Sequence, residues 1–215
     1  FILPIWAFRG SSEPWSPITI AIMRLGHIIK HASDGMPNMP DWRPKLRSRA
    51  DGNPRIMGIL NITPDSFYGQ SRYETVESAT GEAIAMAENG ADWIDVGGES
   101  TRPGSQAVPP REEEARVVPV VQSIRDELPD IGISIDTRRS TVASASLDAG
   151  ADMINDVSSL GDSGLADVIV EYRCPVCLMH MKGTPENMQK NPQYSDVVSE
   201  VRKSLSDSTT KLNLL

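Results

Sequence analysis

The sequence predicts an α/β fold of the TIM type, a (β/α)8 barrel of which this chain carries about five of the eight strand–helix units. Short apolar runs, typical of parallel strands buried on both faces, alternate with segments of helical periodicity. Polar residues follow five successive runs: Asn61, Gly97-Gly98-Glu99, Asp136, Asn155 and His180. A barrel brings all its strand ends to one rim, whereas an open doubly wound sheet uses mainly the strands at its switch point. This distribution favours the barrel.

The individual elements follow one another in a regular order. The apolar runs predict strands at residues 56–60, 93–96, 131–135, 153–157 and 174–179. Helical spacing predicts helices that begin near Val76 and stop at Gly90, then at 109–128, 141–148 and 165–171, with an amphipathic tail from Asp196. Residues 89–96 and 149–157 repeat one pattern, in which a helix ends on Gly, turns through Ala-Asp and enters a buried strand. Repeated units of this kind indicate a parallel architecture.

The strand count predicts an incomplete domain. Five strands do not close an eight-stranded barrel, so the outer edges of the first and fifth strands are expected to lack partners. Residues 1–54, rich in Pro, Trp, Arg and polar residues, predict a poorly structured N-terminal extension. Residues 55–215 form the predicted barrel domain, and its last part is expected to be absent from this sequence.

Composition excludes several classes of function. The net charge of −8 argues against general binding of nucleic acid. No run reaches the roughly 18 apolar residues of a membrane span, and no charged region precedes the apolar start of the chain, so we expect a cytoplasmic protein without a membrane partner. Cys174 and Cys177 lie three apart on one predicted strand and point to opposite faces, which argues against zinc or redox chemistry.

The loop at residues 97–104 is predicted to bind an anion. Its backbone N–H groups, the Thr101 hydroxyl and the Arg102 guanidinium can surround an oxyanion, while Pro103 limits the freedom of the loop. An ordinary connection between strand and helix is the alternative.

The other polar strand ends complete a candidate site. Asp136 suits a cationic or guanidine-like heterocycle, unless it caps the following helix, and Asn155 suits a heterocycle edge, unless it satisfies strand-end backbone. Asn61 offers a neutral oxygen to a hard cation such as Mg²⁺. Met179 either fills space or lines a flat ring. These residues alone predict a ligand with a polar flat ring and an anionic, metal-bound leaving group.

Five ordered motifs resemble the dihydropteroate synthase family, over about residues 55–201. They are Gly58–Phe67, Asp95–Gly104, Ser134–Thr137, Ile154–Val157 and Leu178–Pro185. The Glu-Ser-Thr-Arg-Pro-Gly loop sets that family apart from its pterin-binding relatives. The resemblance implies a folate-pathway transferase. It would join 4-aminobenzoate to 6-hydroxymethyl-7,8-dihydropterin pyrophosphate by a dissociative path and release 7,8-dihydropteroate and pyrophosphate.

The resemblance also implies roles for individual residues. Asp136 and Arg102 would be catalytic, with Asp136 also binding the pterin and Arg102 also binding the pyrophosphate. Mg²⁺ would bind at Asn61, and a homodimer is implied for the full-length protein. The remaining implied substrate contacts are Asn155 at the pterin edge, Val157 and Met179 at its face, and Phe67, Thr101 and Pro103 in an aminobenzoate pocket where sulfonamides compete.

Two departures from the family pattern bear on activity. Gly69 replaces an Asp of the family's first loop, and the family's later pterin- and pyrophosphate-binding residues lie on strands six to eight, outside this sequence. We therefore expect this chain alone to be inactive. The rival readings are a noncatalytic or remnant pterin-binding fragment and the pterin-binding barrel of a corrinoid-linked methyltransferase, which has no need of a pyrophosphate clamp at Thr101-Arg102.

Overall fold

The computed structural model describes residues 20–23, 53–62, 72–100, 107–184, 186–188 and 191–213. Within these ranges six strands form one sheet, and five helices accompany it. The strands are β1 (Ile20–Met23), β2 (Met57–Asn61), β3 (Trp93–Gly97), β4 (Gly132–Asp136), β5 (Met153–Asp156) and β6 (Val176–Met179). The helices are α1 (Arg72–Glu88), α2 (Pro110–Glu127), α3 (Ser140–Asp148), α4 (Leu165–Tyr172) and α5 (Val197–Asn213).

The sheet is built from consecutive strand–helix units. Its strand order is β1-β6-β5-β4-β3-β2, and β2 to β6 run parallel to one another. All five predicted strands and all five predicted helices are present, with bounds that differ from the predicted ones by a few residues. None of the described helices has the length and apolar character needed to cross a membrane.

Strand β1 was not predicted. It lies inside the segment 1–54 that the sequence analysis interprets as a poorly structured extension, and it pairs antiparallel with β6, from Ile20 opposite Met179 to Met23 opposite Val176. The outer edge of β6 is therefore paired, whereas the sequence predicts an edge without a partner. An open edge offers a row of unpaired backbone N–H and C=O groups, with which an apolar strand can pair. Apart from residues 20–23, 53 and 54, the predicted extension lies outside the described residues.

The two faces of the parallel sheet differ in chemistry because side chains alternate along each strand. One face is apolar and packs against the helices, with Ile94, Ile133 and Ile154 fully buried in the core. Each buried side chain of this size contributes about 1.5–3 kcal/mol. The other face carries the polar residues of the same strands: Asn61, Asp95, Ser134, Asp136 and Asn155. The strands thus hold the candidate site on the face turned away from the helices.

The repeated Gly-Ala-Asp turns have a common structural role. Gly90 and Gly150 end their helices with positive φ, at 97° and 107°, which favours glycine. Two residues later, Asp92 accepts the N–H of Ile56 at 2.8 Å, and Asp152 accepts the N–H of Ile133 at 2.9 Å. Each aspartate therefore satisfies the backbone at the start of a neighbouring strand, at the end of the sheet opposite the candidate site.

A close contact between β3 and β4 explains one glycine. A side chain added at Gly132 would lie 2.3 Å from the ring of Trp93, its register partner. The indole therefore lies directly over the β4 backbone, and only glycine leaves room for it.

Candidate functional site

The sheet register places three predicted site residues side by side. Asn61 pairs with Gly97, Gly97 with Asp136, Asp136 with Asn155, and Asn155 with Cys177. Register partners in neighbouring strands point to the same face of a sheet. The predicted metal ligand, the predicted catalytic carboxylate and the predicted amide contact therefore lie in one row, which runs from Asn61 on β2 to Cys177 on β6 and which we call the polar row.

A gap lies in the polar row between Asn61 and Asp136. A side chain at Gly97 would come within 3.6 Å of Asn61 Oδ1 and 3.5 Å of Asp136 Oδ2. Both oxygens therefore face the same space above the Gly97 backbone. The Asn61 amide oxygen suits Mg²⁺, a hard cation that keeps several waters and binds through its ligand's phosphate oxygens. Within the described ranges, no group of three or more His, Cys, Asp or Glu side chains is placed to hold a metal.

Asp95 is a site residue that the sequence analysis missed. It lies one register row below the polar row on β3, it is buried, and its Oδ2 accepts a hydrogen bond from Asn155 Nδ2 at 3.1 Å. Asp95 Oδ1, Ser134 Oγ and Asp136 Oδ1 are buried without a hydrogen bond of normal geometry within the described structure. Buried polar atoms in this state are rare and mark places where a ligand or water completes the bonding.

The carboxyls of this face are held in an environment that disfavours their charge. Burial raises the pKa of Asp95, and the nearby Ser134 hydroxyl and Asn155 amide oppose the rise only in part. Burial also raises the pKa of Asp136 well above its usual range, and the negative charges of Asp95 and Glu113 add to that shift. This crowding of acids stabilises a positive charge brought among them.

The predicted ring-lining residues border the same face. Cys177 ends the polar row, and burial with the charges of Asp95 and Asp136 raises its thiol pKa to about 12. Both cysteines are free and buried. Met179 lies two residues further along β6 and is half-buried, and Val157 is buried directly after β5.

A buried ion-pair network supports the start of the predicted anion loop. Arg139 Nη1 contacts Glu99 Oε2 at 2.6 Å and also donates to Glu113, whose side chain is only 1% exposed. Arg139 Nη2 donates to the carbonyl of Val108. Glu99 Oε1 accepts a hydrogen bond from the Val108 N–H at 3.2 Å and forms an ion pair with Arg138 Nη2 at 3.1 Å. Although burial opposes it, the bonds from Arg138 and Arg139 lower the pKa of Glu99. The network ties residues 99 and 108 to the turn that follows Asp136.

The predicted clamp and aminobenzoate-pocket residues Thr101, Arg102, Pro103 and Phe67 lie outside the described residues. The described flank is firmly held, because Arg116 Nη1 donates to the Gly98 carbonyl at 2.8 Å. A side chain at Gly98 would lie 2.7 Å from Val117. The loop therefore begins from backbone packed tightly against α2.

Two further features lie beside the polar row. A groove of about 970 Å³ runs between the start of α2 and the loops after β4, β5 and β6, and Arg111, Arg138 and Thr184 are among its lining residues. None of the polar-row residues lines it. His180 lies with its Nε2 3.2 Å from the Tyr194 hydroxyl.

The chain is similar in sequence to a family of known proteins. The family described as "Pterin binding enzyme" matches residues 57–214. Dihydropteroate synthase of Escherichia coli (strain K12) is 45% identical over 151 residues, which is 70% of this chain and 53% of the relative. The enzyme of Synechocystis sp. is 44% identical over 149 residues, 69% of this chain and 51% of the relative. The chain thus spans about half the length of the curated relatives it matches.

Solved structures show the same fold. A Yersinia pestis dihydropteroate synthase in a sulfonamide drug complex superposes with a TM-score of 0.70 at 39% identity, covering 79% of this chain and 62% of that one. A Xanthomonas albilineans dihydropteroate synthase with 4-aminobenzoic acid gives 0.67 at 41% identity, over 75% and 57% of the two chains. The predicted TIM-type architecture, with five parallel strand–helix units of the barrel, is confirmed.

Proposed function

The chain belongs to the pterin-binding enzyme family, and we propose that it acts as a dihydropteroate synthase. The reaction joins 4-aminobenzoate to 6-hydroxymethyl-7,8-dihydropterin pyrophosphate and gives 7,8-dihydropteroate and pyrophosphate. The observation that carries this proposal is the polar row, in which Asn61, Gly97, Asp136 and Asn155 are register neighbours. Relatives solved with 4-aminobenzoic acid and with 7,8-dihydropteroate support the choice of substrates.

The pterin ring is bound by the acid-rich end of the row. Its amino and ring N–H groups donate to Asp136 Oδ1 and Asp95 Oδ1, two buried acceptors without a hydrogen bond of normal geometry within the described structure. Leaving such an atom unpaired costs about 1–3 kcal/mol, and a bound ring removes that cost. Asn155 is held by Asp95, so its carbonyl oxygen and second N–H are oriented toward the ring edge. Val157 and Met179 contact the ring face.

The same carboxyls promote the bond cleavage. In the dissociative path the C–O bond breaks first, its electron pair leaves with pyrophosphate, and a methylene cation conjugated with the ring remains. Asp136 stabilises this charge because it develops beside a carboxylate already fixed in place. The lone pair of the aryl amine then forms the C–N bond, and the amine nitrogen loses a proton.

The other end of the row receives the leaving group. Asn61 Oδ1, at the end of the row away from the ring, is the described oxygen that fits Mg²⁺. When bound, Mg²⁺ neutralises part of the charge of the departing pyrophosphate. From the family resemblance, Thr101 and Arg102 add to that neutralisation. Phe67, Thr101 and Pro103 shape the aminobenzoate pocket, where sulfonamides compete, and the full-length enzyme is a cytoplasmic homodimer.

Pyrophosphate release from the two substrates tests the proposal. We expect turnover by the product of the complete reading frame that contains this chain, and none by the 215 residues alone. Asp136→Asn in the complete protein should lower kcat by about 100-fold or more. Asp126→Asn, an exposed aspartate on α2, is the matched control and should leave kcat unchanged.

No pyrophosphate release by the complete protein would refute synthase activity and favour a noncatalytic pterin-binding role. Ordinary turnover by the 215-residue chain would refute the expectation that later strands are required.

A further inference from the structure

We propose that Gly97 determines substrate specificity, because its missing side chain leaves the space taken by the methylene and bridging oxygen attached to the pterin ring. This inference rests on the proposed function. Gly97 has no reactive group, and it contributes to the function because it has no side chain to block the substrate.

The geometry at Gly97 permits a larger residue in the unliganded protein. An added Cβ would lie 3.5 Å from Asp136 Cβ and Oδ2 and 3.6 Å from Asn61 Oδ1, which are ordinary van der Waals distances. Gly97 has no positive φ, so its backbone conformation is also open to alanine. Nothing in the described protein therefore requires glycine at this position.

Neighbouring glycines differ in this respect. A Cβ added at Gly132 would lie 2.3 Å from the Trp93 ring, and a Cβ added at Gly98 would lie 2.7 Å from Val117. Those two positions are glycine because the protein itself fills the space. Glycine in a strand otherwise weakens the strand, and it is typical of sites where a ligand approaches the backbone closely. The space at Gly97 is therefore best explained by a bound molecule.

The order of the polar row identifies which part of that molecule lies there. Neighbouring strands are about 4.8 Å apart. The ring lies over Asn155 and Asp136 in the proposed function, and the pyrophosphate lies beside Asn61 at the other end. The atoms that link ring and pyrophosphate must then cross β3 above Gly97. A methyl group at this position would collide with the linking atoms and leave the ring contacts unchanged.

Binding measurements on three proteins test this inference, using the product of the complete reading frame that contains this chain: wild type, Gly97→Ala, and Gly81→Ala as the control. Gly81 is exposed on α1, and a side chain there would meet no atom within 4 Å. The two probes are 6-hydroxymethyl-7,8-dihydropterin and 7,8-dihydropterin, which lacks the substituent. For Gly97→Ala we expect calorimetric titration to give a loss of roughly 10- to 100-fold in affinity for the substituted pterin, as for overpacking of a tight site. Affinity for 7,8-dihydropterin should stay within about twofold, because the ring contacts do not involve position 97.

Thermal denaturation supplies a second readout. Gly97→Ala should melt at or above the wild-type temperature, because alanine restricts the unfolded chain and fits the folded one. A lower melting temperature would mean that the protein itself requires glycine, and would overturn the inference. Equal losses for both probes, or no loss for either, would also overturn it. If wild-type protein bound neither pterin, the proposed function would fail first, and that result differs from a failure confined to Gly97→Ala.

Discussion

Asn155 donates a hydrogen bond from its side-chain amide to Oδ2 of Asp95 at 3.1 Å, and this bond joins β5 to β3 across the face of β4. The bond fixes the orientation of the amide and leaves its carbonyl oxygen and one N–H for a ligand. It also provides the buried Asp95 with a donor. Ligand recognition and the stability of the acidic face thus depend on the same contact.

Replacing Asn155 should weaken pterin binding. Asn155→Ala removes the ring-edge contact and the hydrogen bond that Asp95 Oδ2 accepts from the Asn155 amide. We expect the affinity for 6-hydroxymethyl-7,8-dihydropterin to fall about 10- to 100-fold, the range for a lost hydrogen bond in a charged setting. Calorimetric titration measures this change. Asn89→Ala, an exposed asparagine at the end of α1, is the control, and equal affinities for the two variants would refute the role of Asn155.

The free energy of unfolding should decrease with pH because of Asp136. Burial and neighbouring acids raise its folded-state pKa well above the usual range, so the folded protein holds this proton more tightly than the unfolded chain does. The resulting stability is complete below the unfolded pKa of about 4 and is lost as pH rises through the folded pKa.

Asp136→Asn should remove this dependence. At pH 8 the variant is expected to be more stable than wild type, because its amide has no charge to bury. At pH 3 the two should be nearly equal, because the wild-type carboxyl is then protonated. Urea denaturation at both pH values measures the difference, with Asp126→Asn as control. A variant less stable than wild type at pH 8 would contradict the account.

Removing Arg139 should destabilise the protein strongly. Arg139→Met leaves Glu99 and Glu113 buried without their shared cation, and breaking a buried pair in this way costs about 3–5 kcal/mol. Urea denaturation at pH 7 should detect the loss, while Arg202→Met on the exposed side of α5 should change the free energy of unfolding by less than about 0.5 kcal/mol. Equal stabilities of the two variants would show that the network contributes little.

The close contact of β3 and β4 predicts opposite effects at two glycines. Gly132→Ala forces a Cβ to within 2.3 Å of the Trp93 ring and should destabilise the protein by about 1–3 kcal/mol. Gly81→Ala, on the open face of α1, should stabilise it by up to about 1 kcal/mol. Thermal denaturation of both variants checks the signs, and a neutral Gly132→Ala would contradict the described packing.

Much of the sheet could be predicted from the sequence because its signals are local. Apolar runs, helical spacing and Gly-Ala-Asp turns lie within short windows, and polar residues at the ends of the runs identify Asn61, Asp136 and Asn155. Their side-by-side arrangement depends only on parallel strands in sequential order, which the alternation of strand and helix already indicates.

The features that were missed depend on contacts between distant residues or on the alternation of faces. Asp95 lies inside an apolar run that was interpreted as buried on both faces, so its carboxylate was counted as part of the strand. Glu113 and Arg139 meet across 26 sequence positions, and neither carries a local sign of the other. Strand β1 is four residues long, and it belongs to the sheet through its antiparallel pairing with the distant strand β6.

The most direct test of the central claim is a crystal structure of the complete protein that contains this chain, with 6-hydroxymethyl-7,8-dihydropterin bound. The account predicts that the ring lies on the polar row, with hydrogen bonds of about 3 Å to Asp136 and Asn155 and with its hydroxymethyl carbon above Gly97. A ring bound instead in the groove beside Arg111 and Arg138, with the polar row free of ligand, would contradict it.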